Sequence, residues 1–200
     1  MRAMTSLVTL WEQIAEAHAA DLTRWYDEVQ RQALIQKVPG MAKVRRYAVP
    51  ERPGSFLTWC EVEQGARDAA AAVERAGRAG TPAYECERMS LRLMRDVGEA
   101  RAADTPWLYI VHTDIPDDIV DEYNEWYDHE HLPWLVTVPG VIRARRYTAV
   151  IGAPRYLTAY ELTDRDAFES PEGLKARKTP WTARMRSLFQ NTRRSMCRLI

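Results

Sequence analysis

Four histidines occur in this 200-residue chain, and three of them, His112, His129 and His131, lie within twenty residues of one another. Imidazole exchanges protons close to neutral pH, so a histidine facing a pocket suits general acid or base work. On a helical wheel His129 follows Glu125 and Asp128 to a solvated face, whereas His131 falls between Tyr127 and Trp134 where the helix ends. His131 is therefore the first catalytic candidate. Its competing reading is a histidine that serves the helix C-terminus, where the macrodipole favours a cation. His112 alternates with Leu108 and Ile110 along a strand-like run, and stands either in a pocket or as a hydrogen-bonded sheet histidine.

Binding residues can be read from the same stretches. Arg45-Arg46-Tyr47 and Arg145-Arg146-Tyr147 alternate faces along strands, so one arginine of each pair points outward to solvent or to a strand glutamate, Glu61 or Glu161. Arg146, sharing a face with Ile142, Ala144 and Thr148, either holds a carboxylate or phenolate by a bidentate contact or sits in a structural ion pair. Seven tryptophans and nine tyrosines are a generous supply for a flat aromatic ligand. The aromatic binding candidates are Trp11, Tyr127, Trp134 and Tyr160, while Trp25 and Trp126 read as core anchors.

The elements that must position these groups follow from periodicity. Strands are expected near 6–13, 41–49, 55–63 and 88–96, with helices near 16–34 and 66–78. The second half repeats this with strands over 107–113, 141–150, 156–162 and 192–200. Its first helix starts at Ile115-Pro116-Asp117-Asp118 and should end at Pro133; its second is capped by Asp164 and interrupted by Pro171 and Pro180. Along the first strand, the face of Val8, Leu10 and Val111 should pack on helices, and the face of Thr9, Trp11 and His112 should line the pocket.

The two halves are related in sequence. Val38-Pro39-Gly40 through Arg45-Arg46-Tyr47 returns as Val138-Pro139-Gly140 through Arg145-Arg146-Tyr147 at an offset of 100, and Trp25-Tyr26-Asp27 as Trp126-Tyr127-Asp128 at 101. Phe56-Leu57-Thr58 and Tyr156-Leu157-Thr158 continue the match, as do Thr81-Pro82 and Thr179-Pro180. Each half is a βαββαβ unit with one bare sheet face, which a second such unit can cover. The expected fold is α+β, two ferredoxin-like repeats over 1–98 and 105–200 closing a single barrel whose lumen binds a small molecule. Two separate domains are the alternative.

Composition narrows the partners. Twenty-eight basic residues balance twenty-eight acidic ones, which argues against nucleic acid or an anionic membrane as partner. No signal-like or membrane-spanning stretch is evident, so a cytoplasmic protein, compatible with a homodimer, is expected. Cys60, Cys86 and Cys197 form no C-x-x-C pair and read as free thiols, and no metal or cofactor motif is present.

Trp126-Tyr127-Asp128-His129-Glu130-His131-Leu132-Pro133, followed by Val138-Pro139-Gly140 and Arg145-Arg146-Tyr147, resembles the dimeric α+β barrel superfamily and, more narrowly, its EthD-like members. The resemblance implies that Glu130 and His131 stand where those relatives keep a Glu-His pair, with Gln30 and Arg31 in that place in the first half. The superfamily includes cofactor-free cyclases and monooxygenases, isomerases and haem-using chlorite dismutase relatives, so it constrains chemistry weakly. The expectation is a cofactor-independent acid/base enzyme of cyclase, isomerase, dehydratase or lyase type on a small aromatic or polyketide-like substrate. Its catalytic candidates are His131, His112 and Glu130. A non-catalytic binding protein and a haem-binding oxidase are the alternatives.

Overall fold

The computed structural model describes residues 6–63, 65–77, 85–99 and 103–200. The chain divides into two compact units. Unit 1 takes in the described residues up to Leu93 with Thr148–Ala153 and Cys197–Ile200; unit 2 is Met94–Tyr147 with Pro154–Met196. The first half of the chain forms β1 (Ser6–Gln13), α1 (Ala19–Trp25), a π turn (Tyr26–Gln30), α2 (Arg31–Lys37), β2 (Met41–Ala48), β3 (Ser55–Val62), α3 (Ala66–Gly77) and β4 (Glu85–Gly98). The second half forms β5 (Trp107–Asp114), α4 (Val120–Trp126), a π turn (Tyr127–His131), α5 (Leu132–Leu135), β6 (Val141–Ile151), β7 (Tyr156–Leu162), α6 (Pro171–Ala176), α7 (Pro180–Ser187) and β8 (Gln190–Leu199). Hydrogen bonding links the strands in the order β1-β3-β2-β8-β5-β7-β6-β4 and closes the ring, the expected ferredoxin-like α+β barrel.

Strand alternation places the cores. In unit 1, Val8 and Leu10 of β1 and Cys60 and Val62 of β3 pack on Leu34, Ala69 and Val73 of the helices. In unit 2, Val111, Tyr156 and Tyr160 do the same against Tyr123, Trp126, Tyr127 and Leu135. Burying each such side chain contributes about 1.5–3 kcal/mol, which fixes the register, since a slip of one residue would expose the whole set.

Both Pro-Gly turns are built alike. Met41 N donates to Val38 O at 3.2 Å and Val141 N to Val138 O at 3.0 Å, with Gly40 at φ 73° and Gly140 at φ 90°. Proline at the second position and a left-handed third residue define a type II turn, which only glycine enters without strain.

Several local expectations need correction. Pro133 does not end its helix. The preceding π turn bonds Leu132 N to Tyr127 O, so Pro133 falls in the first turn of α5, where a missing N–H costs nothing. Pro171 and Pro180 do not interrupt a helix but begin α6 and α7, whose N-caps are Ser170 and Thr179. Asp164 caps neither; its carboxylate accepts from Asp166 N in the loop before them. The π turns align Gln30 with His131, so Val29, not Gln30, stands opposite Glu130. The matching Thr81-Pro82 lies outside the described residues.

Candidate functional site

Unit 2 contains a cleft between its helical layer and the β5–β7 part of its sheet. Tyr109 and Val111 of β5, Tyr160 of β7, Tyr127 and His131 of the π turn, and Phe168 and Phe189 form its walls, and Arg177, Arg186 and Arg194 also line it. The cleft holds about 30 Å³. It lies on the helix-facing side of β5, not on the face carrying His112. Both faces of that strand are buried, so burial alone does not distinguish them.

His131 is brought there by the π turn, whose extra residue rotates the side chains that follow relative to a continuous α-helix. Its ring stacks on Trp126 at 4.1 Å between centroids and meets Tyr127 edge-on at 5.2 Å. Nδ1 is buried without a hydrogen-bond partner among the described residues. Burial, together with Arg186, Arg177 and Arg146, pushes its pKa down to about 3, so the imidazole is neutral at physiological pH.

Tyr127 and Tyr160, both expected at the site, do line the cleft. The Tyr127 hydroxyl accepts from Thr158 Oγ1 at 3.2 Å. Tyr160 packs edge-on against Phe168 at 5.2 Å, and burial raises its phenol well above the ordinary range. Arg146 is 1% exposed and lies behind Tyr127. Its Nη2 donates to Asn124 Oδ1 at 2.7 Å, and its guanidinium carbon sits 4.5, 4.4 and 5.1 Å from the ring centroids of Tyr123, Tyr127 and Tyr156. The strand glutamate pairs with the other arginine of the doublet, Arg145 to Glu161 at 2.7 Å.

The remaining candidates lie elsewhere. Glu130 Oε1 accepts from Thr179 Oγ1 at 2.5 Å and Thr182 Oγ1 at 3.4 Å, which fastens the π turn to the start of α7. Trp134 is 46% exposed and lines a separate surface hollow of about 330 Å³ with Thr137, Val138, Glu172, Lys175 and Ala176. His112 is buried on the far face of β5, and Trp11 belongs to unit 1, on the face of β1 turned from its helices. His112 and His131 therefore do not share one site.

Sequence reading missed the three arginines. Arg177 bonds Phe168 O and reaches Glu169 at 3.1 Å. Arg186 and Arg194 have exposed side chains, and neither pairs with a carboxylate among the described residues. Burial of part of its stem and the nearby charges of Arg177 and Arg194 lower the pKa of Arg186. A signal was available: after Glu172 the chain contains eight basic residues and no acidic one. The balanced total charge conceals this local excess.

The space beside His131 does not fit a haem. It is about a tenth of the ~300 Å³ at which organic-ligand pockets begin, and packed aromatic rings wall it. Among the described residues no group of three or more His, Cys, Asp or Glu could hold a metal ion, and no helix is long and apolar enough to cross a membrane.

No family model matches the chain, and no curated protein is similar to it in sequence. Solved structures are similar in fold. An anthrone oxidase-like protein superposes with a TM-score of 0.71 at 13% identity, covering 99% of this chain and 92% of its own. A Fusobacterium nucleatum protein described as a monooxygenase gives 0.68 at 8% identity, covering 100% and 94%. A chlorite dismutase from Candidatus Nitrospira defluvii gives 0.63 at 10%, covering 100% and 92%. These neighbours differ in described activity, and what the chain shares with them is the ferredoxin-like α+β barrel fold.

Proposed function

We propose that the chain is an enzyme that moves a proton on a small organic molecule bound in the unit 2 cleft, with His131 as the group that exchanges it. One observation carries this reading: a buried imidazole nitrogen without a protein partner in the wall of a cleft. Buried polar atoms are usually paired, and an unpaired nitrogen in a cleft wall is free to bond a molecule that enters the cleft. In the free protein His131 is neutral and weakly basic. An anionic substrate near the arginines offsets the charges that depress it, so basicity rises when substrate binds. Cyclisation, isomerisation, dehydration and lyase reactions at an acidic carbon can each begin with such a proton removal, and the reading needs no cofactor.

Tyr127 and Tyr160 shape the wall, and Arg146 supplies positive potential from behind Tyr127. Glu130 is a positioning residue that acts through Thr179. The shared π turn and Pro-Gly turn support descent of both repeats from one EthD-like unit. Free thiols at Cys60, Cys86 and Cys197 fit a cytoplasmic setting.

The test is turnover of a panel of aromatic and polyketide-like acids, run with and without dioxygen because some neighbours are described as oxidases or monooxygenases. His131→Gln should cut turnover at least about 10²-fold while circular dichroism stays unchanged. Less than a tenfold loss would remove His131 as the proton carrier, and binding of a panel acid with no turnover would instead mark a binding protein. Glu130→Gln should change kcat only a few-fold and be rescued by Asp.

A further inference from the structure

Three guanidinium groups converge on the cleft, and only one of them has a carboxylate. Arg177 is tied to Glu169 and to the carbonyls of Phe168 and Gly173. Arg186 and Arg194 have no acidic partner among the described residues, although they come from different elements, α7 and β8. Other arginines of unit 2 do have carboxylates: Arg184, two residues from Arg186, makes two 2.8 Å bonds to Glu122, and Arg143 and Arg145 on β6 pair with Asp96 and Glu161. One carboxylate, Glu169, does not balance three guanidinium groups held together, so an anion that joins them is favoured.

We infer that the ligand of this cleft is an organic anion whose carboxylate or enolate oxygens sit among Arg177, Arg186 and Arg194 and reach toward His131, an assignment that rests on the proposed site. Size supports it. A cleft of about 30 Å³ admits a charged head group and not a ring, so the body of the ligand lies across the mouth against Phe189 and the exposed parts of the arginines. Guanidinium planes recognise carboxylates through paired N–H donors and also stack on flat apolar groups, which suits both parts of such a ligand. The phenols of Tyr109 and Tyr160 stay protonated because burial raises their pKa, so they remain hydrogen-bond donors to an anion and do not repel it.

The probes are acetate and benzoate, each against its uncharged amide, titrated at up to millimolar concentration by calorimetry and by the intrinsic fluorescence of the tryptophans. Benzoate should bind at least tenfold more tightly than benzamide, and its affinity should fall with added salt. The Arg186→Gln/Arg194→Gln double variant should lose at least tenfold in benzoate affinity, whereas Arg184→Gln should lose nothing. Binding should also raise the pKa of His131, read from its imidazole resonances. Equal affinity for acid and amide, no detectable binding of either carboxylate, or an unchanged benzoate affinity in the double variant would overturn the assignment. If benzoate binding depends on the arginines but His131→Gln leaves turnover intact, the anion site stands and the proposed proton transfer falls.

Discussion

In unit 1 Arg46 donates to Glu12 and to Thr58, and its guanidinium lies 4.3 and 4.8 Å from the ring centroids of Tyr26 and Phe56. In unit 2 the corresponding Arg146 keeps the aromatic box, with Tyr127 for Tyr26 and Tyr156 for Phe56, but Thr113 stands where Glu12 would be and an amide oxygen of Asn124 is its polar partner. The residue ending the π turn changes with it, from Gln30 to His131. One scaffold thus carries a self-neutralised polar core in the first unit and an uncompensated cation beside an imidazole in the second. The difference shows how few positions separate a self-neutralised cluster from one whose cation has no carboxylate partner among the described residues.

Removing the counter-ion from unit 1 should have the largest effect. Glu12 and Arg46 are both buried, with side chains 0% and 2% exposed. Glu12→Leu leaves a buried guanidinium without its carboxylate and should cost about 3–5 kcal/mol in denaturant unfolding. Loss below 1 kcal/mol would mean that the tyrosine and phenylalanine rings alone suffice, and the contrast between the units would lose its basis.

The second test makes unit 2 resemble unit 1 at the π turn. The pKa of His131 is about 3 in the folded protein against 6.5 for the free side chain, so between those values the unfolded chain binds a proton that the folded one does not. The associated stability is fully present above pH 6.5 and is lost as the pH falls toward 3. The limiting slope is about 1.4 kcal/mol per pH unit. His131→Gln should flatten the stability profile between pH 6 and pH 4 by about that amount per unit, measured by urea unfolding across the range.

Much of the scaffold was legible in the sequence, and the reasons are local. β1 and β7 could be bounded at Ser6–Gln13 and Tyr156–Leu162 because their β-rich runs are clear, and the Pro-Gly turns announce themselves chemically. The π turn was not legible: one extra residue per turn leaves no compositional mark, and because both halves carry it the offset between them stays at 101 through it. Alternation put Val8, Leu10 and Val111 on the helix side, where they pack, but it could not single out a cleft there, because Leu108, Ile110 and His112 are as buried as Val111 and Thr113. The arginines escaped because the balanced total charge hides the basic stretch that holds Arg177, Arg186 and Arg194, and only the packing of the end of α6 with α7 and β8 turns these three toward one cleft.

A third substitution returns a carboxylate to Arg146. Asn124→Asp is nearly isosteric and should stabilise the protein by about 1 kcal/mol at pH 7, a modest gain because desolvating the new charge offsets much of the attraction. The aspartate's pKa would be depressed by Arg146, so this gain should be present above about pH 4, the unfolded value, and vanish as the pH falls through the folded one. Since Arg146 helps to hold the His131 pKa down, neutralising it should also raise that pKa, which imidazole resonances would record. A stabilised protein with an unmoved His131 would separate the two features that distinguish unit 2.

The smallest effect concerns the mouth of the cleft, and its sign matters more than its size. Arg186→Gln removes a charge that neighbouring Arg177 and Arg194 oppose, so the ligand-free protein should become more stable, by a few tenths of a kcal/mol, roughly the scale of exposed charge pairs. The gain should shrink with added salt, because the repulsion acts through solvent over distances comparable with the Debye length of ~10 Å at 0.1 M. Such a group is kept at a cost to the fold, the pattern expected where binding and not stability has set the residue. Arg184→Gln, which breaks the pair with Glu122, supplies the opposite sign under identical conditions. Destabilisation by both substitutions would make Arg186 an ordinary surface residue and leave unit 2 without its distinctive concentration of unpaired positive charge.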